Sequence, residues 1–429
     1  MQFLSIKTAD FLLSSVGKAA ANELAHADLG AAHTLSLLSA LRRSYTPEQA
    51  GALLSLVRLR QKAATKFPEA DQLFFVPEAL EQATAWPIAQ RRAALFDQHA
   101  PPGPLLDLGC GIGGDLLALA QTRSVIAYET DPVRLRFAQA NAQAVGVAHR
   151  VEFRQADWTA DMAAGRLPAA AAAFADPARR MNEQRIFSLH ALQPPFHALL
   201  QLQQRMALLG AKVMPGLDLA ELTQALPAEL CGRCCVEFIS HAATCKEAVL
   251  WFGEPARWPA GPIASVASEM PRLASVHTGV AWHTLTAAGA APPIGELCVG
   301  QYLHEPDPAV IRAGAFAELC TLLDAHLFDQ QIAYLVSSAH RAHPLTQTFQ
   351  IEEILPFGLK QLNRRLQARQ IQSVEIKKRG APIEPEQMRA RLKTAPTGRD
   401  AVIIFTRRGD ERLILLCRRV AHKGEKPSQ

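Results

Sequence analysis

The residues with the clearest chemistry lie between Leu105 and Pro177: a glycine turn and a series of carboxylates, each just past an apolar run. Leu105 to Asp115 reads as a strand, a glycine turn and a helix start. Gly109, Gly111 and Gly113 let the backbone turn sharply and approach a ligand with no Cβ in the way. The N–H groups exposed at a helix start favour a polar or anionic group. Gly109, Gly111 and Gly114 also satisfy G-x-G-x-x-G, so the turn alone leaves two classes of nucleotide cofactor open. Asp107 adds a carboxylate two residues before the first glycine, suited to a cationic ligand group. Glu129 closes the next apolar run twenty residues after Gly109, where an acid accepts both ribose hydroxyls. Asp131-Pro132 reads as an N-cap and first helical residue. Asp157 follows the third run, as a ligand-facing acid or a plain loop residue, and Asp176-Pro177 follows the fourth.

The elements that must position these residues are short. Candidate strands are Leu105–Leu108, Val125–Glu129, Val151–Gln155, Ala172–Ala175 and Ala211–Met214, mostly separated by helix-forming stretches. That alternation predicts an α/β fold, a parallel sheet with helices on both faces. Val236–Ser240 and Ala248–Phe252 are joined by too short a loop for a crossover and must pair antiparallel. Residues 1–90 read as helical, with Thr46-Pro47 opening one helix and a second over Glu78–Gln98. The α/β region would then occupy 91–256, followed by a weakly structured connector over 257–300 with short strand-like pieces such as Val280–Leu285. Within 301–429, Tyr302 to Ala325 reads as mostly helical, and the last eighty or so residues run strand, helix, strand, helix, strand, strand. That order is compatible with a ferredoxin-like α+β domain.

Composition bounds the rest. The chain has 429 residues, 49% apolar and 20% charged, which suits two or three globular domains. It holds no apolar run long enough to span a bilayer and no signal-peptide pattern at Met1–Leu4, so a cytoplasmic location is expected. Four of eight cysteines (Cys231, Cys234, Cys235, Cys245) lie close together without a second C-x-x-C pair, which favours buried thiols over a metal site. Residues 351–429 carry 18 Lys/Arg against 9 Asp/Glu, a net +9, while the other 350 residues carry −4. A basic segment of this kind meets a polyanion or is a solvated surface. Its candidates are the i, i+4 pairs Lys360/Arg364 and Arg365/Arg369, then Lys377-Lys378-Arg379 and Arg407-Arg408.

The D-x-G-x-G-x-G form of Asp107–Gly113, with Glu129 and Asp176-Pro177 at later strand ends, resembles class I S-adenosylmethionine-dependent methyltransferases. More closely, the chain resembles bacterial methyltransferases with a C-terminal THUMP-like domain, a family assigned to RNA. The matching stretches include Lys66-Phe67-Pro68, Leu80–Thr84, Asp107–Gly114, Asp176–Arg180, Cys245–Gly253, Glu305–Gly314, Leu355–Phe357 and Lys377–Gly380. The resemblance implies a Rossmann-like sheet with an antiparallel terminal hairpin. It implies S-adenosylmethionine held by Asp107, Gly109, Gly111, Gly113, Glu129 and Asp157. Asp176 and Pro177 fall where exocyclic-amine methyltransferases carry a catalytic D/N-P-P-Y/F loop, although Ala178 and Arg179 replace its second proline and aromatic. Arg179 and Arg180, with Lys377, Lys378 and Arg379 of the basic tail, are the expected contacts to tRNA or rRNA. A small-molecule or protein methyltransferase, and a non-catalytic RNA-binding protein on the same scaffold, are the alternatives.

Overall fold

A computed structural model describes residues 4–179, 189, 192–254, 257–258 and 270–420. The chain divides into two compact units, residues 1–234 with 249–262, and residues 235–248 with 263–429.

The first unit opens with helices α1 (Ile6–Leu13), α2 (Ser15–Glu23), α3 (Ala31–Leu41) and α4 (Pro47–Ala63). The start of α4 is set by a reciprocal capping box. Thr46 Oγ1 accepts from the Gln49 N–H at 3.3 Å, and Gln49 Oε1 accepts from the Thr46 N–H at 3.1 Å. Leu53, Leu54 and Val57 then bury the inner face. The single helix expected over Glu78–Gln98 is two, α5 (Pro77–Gln82) and α6 (Trp86–His99). Pro87 explains the break: it lacks the N–H that a continuing helix needs and suits the first turn of a new one. The break leaves Thr84 in a loop against the glycine turn, where a Cβ on Gly114 would lie 3.4 Å from the Thr84 nitrogen.

The sheet of this unit contains β1 (Leu105–Leu108), β2 (Val125–Glu129), β3 (Val151–Gln155) and β4 (Ala172–Ala175), with α7 (Leu116–Leu119), α8 (Pro132–Ala144) and α9 (Trp158–Ala163) between them. The two-residue strands β5 (Ala178–Arg179) and β6 (Leu192–Gln193) pair separately, α10 (Phe196–Gln203) precedes β7 (Leu208–Val213), and α11 (Leu219–Ala225) follows it. β1 pairs in parallel with β2 and β4, β2 with β3, and β4 with β7. Leu108 registers with Tyr128 and with Ala175, so the loops after β1, β2, β3 and β4 open on one edge, at the carboxyl ends of the strands. β7 begins three residues before the expected Ala211, because Leu208 and Leu209 are as buried as the rest of the strand.

A two-residue turn, Ala242-Ala243, with both φ in the left-handed region, joins β8 (Cys234–His241) to β9 (Thr244–Gly253). Cys234 and Cys235 are fully buried on β8, and burial pushes the Cys234 thiol well up. Part of the stretch read as a weak connector is ordered strand. β10 (Arg272–His277) pairs in parallel with β8, and β11 (Trp282–Ala287) pairs antiparallel with β10. β11 overlaps the strand-like Val280–Leu285, whereas the surrounding Ala-, Pro- and Gly-rich composition hid β10, in which Leu273, Ala274, Ser275 and Val276 are all buried.

The second unit also holds β12 (Tyr302–Pro306), α12 (Pro308–Ala313), α13 (Phe316–Leu323), β13 (His326–Leu327) and β14 (Leu335–Ser337). Tyr302–Pro306, read as helical, is thus a strand, and Pro306 and Pro308 bracket the switch to helix. The final six elements follow the expected order: β15 (Thr346–Pro356), α14 (Leu359–Ala368), β16 (Ile371–Lys378), α15 (Pro385–Arg389), β17 (Arg399–Arg408) and β18 (Glu411–Arg419). The seven strands run β13-β14-β12-β15-β18-β17-β16. Both faces of the sheet are buried. Val402 and Ile404 of β17 join a core with Leu303, Tyr334 and Phe349, while Ile403 and Phe405 pack against Leu362 and Leu366 of α14.

Candidate active site

Asp107 sits on β1 with 1% of its surface exposed, and its Oδ2 has no hydrogen-bond partner. Burial, followed by the neighbouring Asp176 carboxylate, pushes its carboxyl up to about 7, although Arg92 and Lys212 pull the other way. An orphaned buried carboxylate oxygen is costly to leave unmade and suits a cationic ligand group. It opens on a cavity of about 40 Å³ lined by Thr84, Gly109, Cys110, Gly114, Asp115 and Asp176. A water needs roughly 10–15 Å³ by this measure, so the hollow matches a small polar head group.

The glycine turn forms the roof. The N–H groups of Gly109 and Cys110 both donate to the Tyr128 carbonyl, at 3.0 and 2.9 Å. Gly109 has φ +90°, and a Cβ there would lie 2.9 Å from the Asp176 carbonyl oxygen, so only glycine fits between β1 and the loop after β4. Gly111 and Gly113 also have positive φ. The N–H of Gly111 donates to Glu129 Oε2 at 2.9 Å, and that of Asp131 donates to Oε1 at 2.9 Å. The Thr130 hydroxyl also donates to Oε1, at 3.4 Å, so Glu129 is held at the edge of the glycine turn with Oε2, engaged only by Gly111, keeping a lone pair for a ligand.

Asp131 caps α8, accepting from the N–H groups of Val133 and Arg134 at 2.8 and 2.9 Å. Asp157 caps α9 through the N–H and hydroxyl of Thr159, at 2.8 and 2.7 Å, and its carboxylate is exposed at the end of β3.

Asp176 reaches the same cavity from the end of β4. Lys212, on β7, donates to its Oδ2 at 2.8 Å, and also to Thr84 Oγ1 at 3.3 Å and the Gln82 carbonyl at 3.2 Å. The Thr84 hydroxyl donates in turn to Asp115 Oδ2 at 2.8 Å, and Asp115 Oδ1 is paired with the buried Arg92. Arg92 lies over the Phe174 ring of β4, 4.2 Å from its centroid. A line of alternating charge thus runs Arg92–Asp115–Thr84–Lys212–Asp176. Among the described residues nothing is bonded to Asp176 Oδ1, which leaves that oxygen for a substrate. Lys212, Thr84, Asp115 and Arg92 were not singled out from sequence. Lys212 carried a signal all the same, as the lone charge in the apolar run Leu208–Met214.

Pro177 is buried beside Asp176. Arg179 belongs to β5, and Arg180 lies outside the described residues. The basic residues of the second unit are mostly neutralised. Lys377 is held by Glu305 at 2.6 Å, and Lys378 by Glu384 at 3.0 Å. Arg379 lies 3.6 Å from Glu305 and over the Tyr334 ring. Glu375 also lies 3.4 Å from Lys377, so Glu305, Glu375 and Glu384 offset the segment read as an RNA contact.

Comparison with known proteins accords with this geometry. Residues 103–254 match the family described as RNA cap guanine-N2 methyltransferase, residues 346–419 a THUMP domain-like family, and residues 5–63 a domain of unknown function. An uncharacterized S-adenosylmethionine-dependent methyltransferase of Mycobacterium tuberculosis is 30% identical over 369 residues, covering 84% of this chain and 94% of the relative. An uncharacterized RNA methyltransferase of Parasynechococcus marenigrum is 35% identical over 94 residues, covering 22% and 20%. A crystal structure from Porphyromonas gingivalis W83, described as that of a methyltransferase, superposes with TM-score 0.74 at 19% identity, covering 98% of this chain and all of that one, and so shares the fold. Among the described residues no helix is long and apolar enough to cross a membrane. With the orphaned Asp107 oxygen, the glycine roof and Glu129 fitted to a nucleoside carrying an amino-acid end, the chain belongs to the S-adenosylmethionine-dependent methyltransferases.

Proposed function

We propose that this enzyme methylates a base in structured RNA, tRNA or rRNA, at an exocyclic amine, and acts in the cytoplasm. The observation that carries the reading is Asp176-Pro177 at the end of β4. One carboxylate oxygen there is clamped by Lys212 and the other opens on the cofactor cavity. The match of residues 103–254 to a family named for guanine-N2 transfer, and of 346–419 to a THUMP-like family, supports an RNA amine as acceptor.

Bound S-adenosylmethionine supplies an electrophilic methyl on sulfur, and transfer forms the N–CH₃ bond as the S–CH₃ bond breaks, its electron pair returning to sulfur. The roles of the chain's own residues are positional and electrostatic. Asp107 receives the methionine ammonium, Glu129 the ribose hydroxyls and Asp157 the adenine amino group. Asp176 Oδ1 accepts an N–H of the acceptor amine, orienting its lone pair and taking up the developing positive charge. The surplus proton leaves the nitrogen through that carboxylate. Lys212 fixes the Asp176 rotamer and offsets the clustering of Asp107 and Asp176 in one cavity. Mass spectrometry of nucleosides in total RNA, from cells with and without the protein, tests the reading: one methylated base must disappear with the gene.

Two consequences concern the electrostatics. Because the Asp107 carboxyl is raised to about 7, it is protonated below that pH and presents no charge to the ammonium. S-adenosylmethionine affinity should fall on acidification, approaching tenfold per pH unit below about 7. Calorimetry over about pH 5.5–8.5 measures this, and a flat profile would remove Asp107 from the site. The sign for folding is opposite. A carboxyl whose folded value lies above its unfolded value of about 3.9 makes the apo protein lose stability as pH rises from there to about 7.

Lys212→Met removes a cation from beside two carboxylates. We expect turnover to drop about tenfold or more, with the acid limb of the rate profile moved to higher pH and cofactor affinity changed far less. Lys212→Arg should restore most of the rate. An unshifted acid limb would make Lys212 merely structural.

A further inference from the structure

The basic residues of the second unit separate into two populations. Glu353 is buried and takes Arg365 at 2.7 Å together with Arg369, while Glu352 takes Arg399 at 2.5 Å and Arg418 at 3.9 Å. Arg408 pairs with Glu411 and Arg419 with Glu375. Lys377, Lys378 and Arg379 are engaged as described above. Arg407 donates to the Gly409 carbonyl and to Gln331. Lys360, Arg364, Arg391 and Lys393 are exposed and have no such partner.

These four converge. On α14, Leu362 and Leu366 face the core, and Arg365 and Arg369 lie on one flank, tied to Glu353. Asn363 and Gln367 lie on the other. Asn363 donates to the Arg391 carbonyl at 3.1 Å and accepts from the Lys393 N–H at 2.9 Å. Gln367 donates to the carbonyls of Lys393 and Thr394, at 3.0 and 2.7 Å. The chain from Arg391 to Thr394 is thereby fastened along α14, and Lys360 and Arg364, one turn apart, form the ridge beside it. Neither residues 357–369 nor residues 387–399 contain an acidic residue. At the start of the ridge, Phe357 is 40% exposed, and its N–H donates to the carbonyl of Arg412, another exposed cation without a carboxylate.

Like charges held one turn apart destabilise a helix, and elsewhere this unit supplies a carboxylate for most of its cations. A fastened strip with four cations and no acid is arranged for an external polyanion. We infer that the ridge of α14, with Lys360, Arg364, Arg391 and Lys393, is the surface that grips the RNA phosphate backbone, and that Lys377, Lys378 and Arg379 belong to the ion pairs that hold the sheet. This rests on the RNA reading above and names the surface that serves it.

The test uses the full chain and a bulk tRNA and rRNA probe, with affinity measured across a salt series. One variant changes all four ridge residues to glutamine; a second changes Arg408, Arg418 and Arg419, which are already paired, to glutamine. Each phosphate contact contributes about 0.7–0.9 to the slope of log affinity against log salt. The ridge variant should lose roughly 3 units of slope, while melting temperature and S-adenosylmethionine affinity stay as in the wild type, and the second variant should keep the wild-type slope. A ridge variant with the wild-type slope, or a second variant that loses as much, overturns the assignment of the surface while leaving the RNA reading intact. A wild-type chain that does not bind RNA at all overturns both.

Discussion

Asp176→Ala is expected to reduce methyl transfer by about a hundredfold to ten-thousandfold, the range for loss of a positioned proton acceptor. Cofactor affinity should change little, because Asp176 faces the acceptor. The variant also strips Lys212 of its carboxylate, 2.8 Å away, with only 14% of the lysine side chain exposed. Asp176→Asn is therefore the sharper companion. It keeps an oxygen that can accept the amine N–H but neither carries the charge nor takes the proton. It should lose turnover nearly as far while retaining more of the folded stability. Single-turnover assays on both, with calorimetry for the cofactor, separate the roles. A variant with wild-type turnover would make the Asp-Pro corner structural.

Glu129→Ala should weaken S-adenosylmethionine binding by roughly tenfold to a hundredfold. That follows from about 1.5–3 kcal/mol for hydrogen bonds to a charged group. Two effects add here, since Glu129 also receives the N–H groups of Gly111 and Asp131 and so shapes the glycine turn. Glu129→Gln separates them. The amide oxygen preserves one of those acceptors, so its loss should lie between wild type and alanine. Calorimetry reads the affinity, and circular dichroism checks the fold. Unchanged affinity in a folded alanine variant would remove Glu129 from the ribose site.

The sequence was most informative where local rules act alone. Strands β1, β2 and β4 are short apolar runs ending at a glycine or an acid, and their observed limits, like those of β3, match those read from the sequence. The caps at Thr46 and Asp131 are likewise local, each an oxygen that satisfies the next N–H groups. What composition concealed was long-range. β10 lies in a stretch rich in Ala, Pro and Ser with no clear apolar run, and its pairing with β8 and β11 is what makes it a strand. The line from Arg92 to Asp176 joins α6, the loop after α5, the glycine turn, β7 and the end of β4, positions up to 128 residues apart that no spacing rule connects. The tail misled in a third way. Net +9 over residues 351–429 counts charges but not partners. Glu305, at position 305, lies outside that window and takes two of its cations.

The central claim is that this chain moves a methyl group from S-adenosylmethionine to an RNA base. Its most direct test is transfer in vitro: purified protein, methyl-labelled S-adenosylmethionine and tRNA and rRNA from cells lacking the gene, digested to nucleosides and resolved by mass spectrometry. Label should enter one base-methylated nucleoside, on its exocyclic amine, and be absent with Asp176→Ala. Label found only in protein or in a small molecule, or no transfer to RNA by a protein that binds the cofactor, would contradict it.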